Sequence, residues 1–126
     1  MQAVNQLRVL SLNTQSLRNK VSDVLSIIED LDVDIAFIQE SWLKASDGAI
    51  FAQIKDHGFS THTFRKARKS DVGGGVAAIF KPALKVTKAK RRNNFKTFEN
   101  LECLVQTDNG MVRFINIYRP DYSAKT

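Results

Sequence analysis

The chain has 126 residues, 43% apolar and 25% charged, and its 19 Lys and Arg outweigh 13 Asp and Glu for a net charge of +6. That composition excludes a wholly disordered or fibrous chain, and the length admits one domain with one modest core. Apolar runs are only a few residues long, so none is read as a membrane span, and no secretory signal pattern opens the chain.

Leu7–Leu12 (LRVLSL) is a β-rich apolar run that predicts a first strand, and Asn13 to Asn19 is polar and turn-like. Leu17, Val21, Val24, Leu25, Ile28 and Leu31 recur at spacings of 4, 3, 1, 3 and 3, one face of an amphipathic helix. Ser16 or Asn19 is the expected cap. Asp34–Glu40 (DIAFIQE) is apolar without strict alternation, the pattern of a strand covered on both faces. Strand, helix, strand makes a βαβ unit with an expected right-handed crossover.

The second half reads as an antiparallel meander. Gly73–Phe80 (GGGVAAIF), Val86–Lys90, Leu101–Thr107 and Met111–Tyr118 are its strands, and Asp108-Asn109-Gly110 is a hairpin signal. The whole is α/β: a mixed sheet with a βαβ start and one well-marked helix. The glycine run lacks the lysine and helix of a phosphate-binding loop and reads as a turn entering a strand. Asp56-His57 and His62 fall in loop or hairpin positions, where sequence neighbours point opposite ways and rarely form an acid–base pair.

Charge is uneven. Asp23 to Asp56 holds eight acids and two bases, whereas Arg65 to Lys96 holds eleven bases and one acid. The basic stretch suits an anionic partner such as a phosphate backbone, although lysines on hairpins also keep edge strands soluble. Lys88, Lys90, Arg91, Arg92 and Lys96, with Phe95 and Phe98 nearby, form its densest part, and Phe98 is the better core candidate of the two rings. The lone cysteine, Cys103, excludes an internal disulfide and a zinc cage of paired cysteines, which suggests a reducing, intracellular setting.

Three residues stand at strand tips. Asn13 and Glu40 follow strands that a βαβ unit sets parallel, so both belong to the carboxyl edge where α/β sheets bind ligands. A carboxylate there suits a hard cation, and a carboxamide donates to a phosphate oxygen without adding charge. A turn residue and a solvated strand end explain the pair equally well. Tyr118, before Arg119-Pro120, either donates to a phosphate or caps the core.

Taken in order, LRVLSLNTQSL from Leu7, DIAFIQESWL from Asp34, GGGVAAIFK from Gly73, FENLE from Phe98 and NIYRP from Asn116 resemble the endonuclease/exonuclease/phosphatase family. The likeness is closest to the apurinic-type endonuclease domain of non-LTR (LINE-type) retrotransposons. It implies the N-terminal part of an αββα two-sheet sandwich that cleaves phosphodiesters with Mg²⁺ or Mn²⁺. Glu40 then matches the metal-binding glutamate, Asn13 the phosphate-contacting asparagine, and Tyr118 the active-site tyrosine, with Arg119 inside its Tyr-x-Pro segment. DNA is the implied partner, through the Arg65–Lys96 stretch, and a retroelement origin implies the nucleus.

The family's later Gly-Asp-Phe-Asn, further aspartate and Ser-Asp-His segments do not occur in the 126 residues; Asp56-His57 falls between the second strand and the glycine turn, and Ser70-Asp71 is followed by Val72, so neither replaces them. The expectation is therefore the first half of the domain, inactive alone, with an uncovered sheet face prone to self-association. A non-catalytic nucleic-acid-binding remnant and a phosphatase-type relative are the alternatives.

Overall fold

The computed structural model describes residues 6–66, 73–90 and 95–119. The apolar run near the N-terminus becomes β1 (Val9–Asn13), which pairs in parallel with β2 (Ile35–Gln39), so that Asn13 stands opposite Gln39. Between them α1 (Val21–Asp30) buries Val21, Val24, Leu25 and Ile28 at the predicted spacing. Leu17 is fully buried but precedes the helix. Lys20, not Ser16 or Asn19, is the cap residue, with no side-chain cap hydrogen bond. The Ser16 hydroxyl instead accepts the Arg18 N–H at 3.2 Å, inside the preceding turn.

Two elements were not expected. A second helix, α2 (Gly48–Asp56), follows β2, and β3 (Ser60–Phe64) follows it. α2 is short and fully buries only Ile54. β3 (STHTF) is half-buried throughout and lies at a sheet edge, so it has no apolar run to reveal it. The glycine run leads into β4 (Val76–Phe80), which leaves the expected meander and inserts antiparallel between β2 and β3. The first sheet therefore has the order β1-β2-β4-β3. The meander is the remaining three strands, β5 (Val86–Lys88), β6 (Glu99–Thr107) and β7 (Gly110–Tyr118), in a second sheet of order β5-β6-β7.

Side-chain alternation in β2 and β4 builds both cores. Ala36, Ile38, Ala77 and Ile79 face the helices with Leu25, Ile28 and Ile54. Ile35, Phe37, Val76, Ala78 and Phe80 face the second sheet, where Leu101, Cys103 and Val105 of β6 meet them. Burying a Leu or Ile side chain contributes about 1.5–3 kcal/mol, so central strands covered on both faces anchor the layers. The described residues thus form helix, sheet and sheet layers.

The inner faces of the two sheets cover each other. Among the described residues Met111 (53% exposed), Ile115 (50%) and Ile117 (49%) form an exposed apolar stripe on the outer face of β7, and Val9, Ile27 and Leu31 are exposed on the first sheet and α1 side. Among the described residues no helix is long and apolar enough to cross a membrane.

Candidate active site

Six strand ends meet at one edge of the sandwich, among them Phe64 at the end of β3 opposite Val76. Asn13 and Gln39 end β1 and β2 in register, Val76 opens β4 opposite Gln39, and Glu99 opens β6 opposite Tyr118 at the end of β7. Asn13 and Glu40 line the same cleft of about 590 Å³, with Lys20 and Asp23 of the α1 side. Asn13 also lines a second cleft of about 580 Å³ between the two sheets, and Tyr118 lines that one. Asn13 is therefore shared, while Glu40 and Tyr118 stand in different clefts. Tyr118 also packs against the inter-sheet core.

Glu40 is held in an unusual backbone. Among the described residues five non-glycines have positive φ, and four of them, Gln15 (45°), Ser16 (85°), Glu40 (55°) and Trp42 (61°), lie in two adjoining loops. Gly73, Gly74 and Gly75, with φ of 84°, 71° and 90°, form a third. A left-handed conformation costs an L-residue about 1–2 kcal/mol, so surrounding contacts must impose it.

Those contacts are backbone hydrogen bonds on both sides of Glu40. The Ser41 N–H donates to the Gly75 carbonyl at 3.1 Å, and the Trp42 N–H to the Gly74 carbonyl at 2.9 Å. On the other side the Glu40 carbonyl accepts the Ser16 N–H at 2.8 Å and the Ser41 carbonyl accepts the Leu17 N–H at 2.9 Å. The Thr14 hydroxyl also donates to the Glu40 carbonyl, at 3.1 Å. Three loops are thus laced together, with Glu40 in the middle one.

Neighbouring side chains fix the rest. The Lys20 ammonium donates to the Thr14 and Gln15 carbonyls at 2.7 and 2.9 Å. The Asn13 Oδ1 accepts the Gln15 N–H at 3.2 Å in an Asx turn, which leaves the Nδ2 hydrogens as the group it offers a phosphate. Beneath, Gln39 Nε2 donates to Asn116 Oδ1 at 2.8 Å, and buried Asn116 donates through Nδ2 to the Ile38 and Ala77 carbonyls, each at 3.0 Å. Asn116 therefore bolts β7, and Tyr118 two residues on, to the centre of the first sheet. Its amide lies within a recognised motif, yet only the inter-sheet contact gives it a role.

Glu99 was also missed as a site residue. It is fully buried and accepts backbone N–H groups from two loop positions. A carboxylate opening a strand reads as surface, and its partners lie 24 and 33 positions away.

The other candidates disperse. His57 ends α2 with its Nδ1 2.9 Å from the Gln53 carbonyl, and His62 lies mid-β3 opposite Ala78, so the two histidines form no joint site. The basic stretch is not one face. Lys81 lies at the far end of the first sheet and pairs with Asp32 and Asp34 at 2.6 and 3.2 Å. The hydrogen bond from Lys81 holds the Asp32 carboxyl below its ordinary range, and the same bond raises the Lys81 ammonium. Lys85, Lys88, Lys90 and Lys96 are exposed, while Arg68, Lys69, Arg91 and Arg92 lie outside the described residues. Phe95 and Phe98 stack at 4.4 Å, both half-buried, rather than either joining a core.

Among the described residues no group of three or more His, Cys, Asp or Glu side chains surrounds a common point. Glu40 supplies one carboxylate in a cleft that Asp23 and the Asn13 carboxamide also line. That donor set fits Mg²⁺, which uses one or two carboxylates and keeps several waters.

A family model described as the endonuclease/exonuclease/phosphatase family matches residues 10–120. No curated protein sequence matches the chain. Among solved structures, the fold is similar to the 3′ phosphatase NExo from Neisseria bound to a product DNA hairpin, with TM-score 0.59 and 20% identity over 90% of this chain and 41% of that one. It is also similar to the endonuclease domain of TRAS1, a telomere-specific non-LTR retrotransposon, with TM-score 0.62 and 16% identity over 90% of this chain and 46% of that one. An AP endonuclease from Archaeoglobus fulgidus gives TM-score 0.56 and 14% identity, covering 86% of this chain and 40% of that one. The chain spans less than half the length of each of these structures.

Proposed function

The chain belongs to the endonuclease/exonuclease/phosphatase family, and from that premise we propose that it is the first part of a metal-dependent DNA endonuclease of the retroelement type. The observation that carries this reading is the laced Glu40 loop. A carboxylate is kept in a strained backbone at the sheet edge, in the same cleft as an exposed carboxamide. Strain imposed by surrounding contacts at one spot is a mark of functional positions.

In this reading Glu40 is the anionic ligand of Mg²⁺ or Mn²⁺, Asn13 donates through Nδ2 to a phosphate oxygen, and the Tyr118 hydroxyl donates from the inter-sheet side. When bound, the cation offsets charge that develops on the phosphate and the leaving oxygen. The protein's own part is to hold these donors in place before the phosphodiester arrives. Lys85, Lys88, Lys90 and Lys96 supply exposed charge for the DNA backbone, and a retroelement product acts in the nucleus. Chains self-associate through the outer face of β7.

In the resembling domains a histidine paired with an aspartate handles the attacking water, and among the described residues neither His57 nor His62 stands at this edge to form such a pair. Loss of such a group costs on the order of 10²–10⁴-fold. The 126-residue chain alone is therefore inactive in this reading.

The test is nicking of supercoiled plasmid in Mg²⁺. The chain alone should give none, and a chain extended by a second half carrying the Gly-Asp-Phe-Asn and Ser-Asp-His segments should nick. Glu40→Ala in that extended chain should lower the rate by at least about 100-fold. Nicking that is indifferent to Glu40 refutes the reading, and release of phosphate from 3′-phosphorylated ends without nicking replaces it with a phosphatase.

A further inference from the structure

Building on the reading of Glu40 as the anionic ligand, we propose that Glu99 is a positioning residue for Glu40, acting across the sandwich through the Gly73–Gly75 turn. Glu99 opens β6 in the second sheet, yet its side chain has no exposed surface. A buried carboxylate is costly unless its oxygens are satisfied. Here Oε2 accepts the Lys66 N–H at 2.6 Å and Oε1 accepts the Gly75 N–H at 2.9 Å. Lys66 lies just after β3 and Gly75 just before β4, so one carboxylate grips both ends of the β3–β4 connection.

The grip reaches Glu40 through a single peptide group. The Gly74–Gly75 peptide donates its N–H to Glu99 and accepts the Trp42 N–H on its carbonyl at 2.9 Å. The next carbonyl, of Gly75, accepts the Ser41 N–H at 3.1 Å. Hydrogen bonds joined through one peptide polarise each other, and a donor fixed by an ionised acceptor is the stronger for it. Glu99 thereby sets where the turn sits, and the turn sets the two amides that follow Glu40.

The chemistry calls for a carboxylate. Two N–H donors converge on two acceptor oxygens, and a glutamine offers one oxygen and an NH₂ that faces the second donor.

Two readouts on Glu99→Gln test the proposal. The first is amide exchange by NMR. Exchange at Ser41, Trp42 and Gly75 should speed up by at least about 10-fold, with the amides of β6 and β7 away from the site unchanged. The second is Tb³⁺, a hard oxygen-seeking probe, read through luminescence sensitised by Trp42. Affinity should fall about 10-fold, the size expected when a ligand's supporting partner is lost. Val105→Ala, in the fully buried interior of β6, lowers stability without touching the turn and should leave both readouts unmoved.

Unchanged exchange at Ser41 and Trp42 in folded Glu99→Gln overturns the proposal. So does a Tb³⁺ affinity that Val105→Ala lowers equally. Should Glu99→Gln not fold, the wild-type chain still decides. Its Lys66 and Gly75 amides should be protected like those of β4, and loop-like exchange there refutes the grip. Selective loosening with no Tb³⁺ binding by the wild type supports the link from Glu99 to Glu40 and refutes instead the ligand role of Glu40.

Discussion

Replacing Gly75 with alanine separates backbone strain from close contact at the laced loops. Gly75 has φ of +90°, and a Cβ there would lie 2.6 Å from the Ser41 Oγ and 3.1 Å from the Trp42 nitrogen. The conformation alone costs an alanine about 1–2 kcal/mol. The Ser41 hydroxyl can turn away only by giving up the Leu43 N–H that it accepts at 3.3 Å, a further 0.5–1.5 kcal/mol or so. The Trp42 nitrogen is backbone, so the loop itself must shift. About 0.4–1 kcal/mol returns because alanine stiffens the unfolded chain. The net loss is about 0.5–3 kcal/mol before the loop shift is added, a fall in Tm of up to about 10 °C. Gly58→Ala is the matched control, since Gly58 has φ of +88° with no heavy atom within 4 Å of the added Cβ. It carries the strain without the contacts. Urea denaturation followed by circular dichroism gives both values. A Gly75→Ala chain that loses no more stability than Gly58→Ala refutes the claim that the turn is pressed against the Glu40 loop.

Burial pushes the Cys103 thiol from its ordinary 9.0 up to about 11, so the native protein should resist a thiol reagent at pH 8 and react fully once denatured. The folded state holds that proton more tightly, so the contribution is intact below pH 9.0 and is lost as pH rises through about 11; native labelling at the rate of a free thiol would contradict the packing. The outer face of β7 gives a test of association: sedimentation should show concentration-dependent oligomers in the wild type and fewer in Met111→Lys/Ile115→Lys, and a wild type that stays monomeric at high concentration removes the proposed contact.

What the sequence revealed follows from how local each signal is. The face of α1 was legible because Val21, Val24, Leu25 and Ile28 repeat at helical spacing and are the residues buried. β2 was legible because an unbroken apolar run needs cover on both faces, and Ile35 to Ile38 are all buried. α2 was hidden behind a glycine start and a narrow stripe of Ile50, Phe51 and Ile54, of which only Ile54 is fully buried. The entry of β4 between β2 and β3 rests on pairing across more than thirty positions, as in Gln39 with Val76, which no local pattern encodes. Asn13, Glu40 and Tyr118 were legible as candidates because each stands at or just after a strand end, and strand ends at one sheet edge converge. Their division between two clefts depends on how the sheets stack, which only the packed structure defines.

The residues that escaped notice share a physical cause. Glu99, Asn116 and Gln39 are polar side chains whose partners lie far away in the sequence, so composition treats them as surface. Local rules also fail at Glu40 and Trp42, where non-glycine residues adopt backbones that suit glycine. Among the described residues four of the five non-glycine positions with positive φ fall where the three loops are laced together. A sequence free to choose would relieve that strain by placing glycine at position 40, at the loss of the only carboxylate in the β2–α2 loop apart from Asp47. Asp47 is already engaged, accepting the Lys44 N–H at 2.7 Å and lying 3.6 Å from Arg18. In the proposed reading the strain and the carboxylate at position 40 go together, with a cation at the sheet edge as the partner that accounts for both.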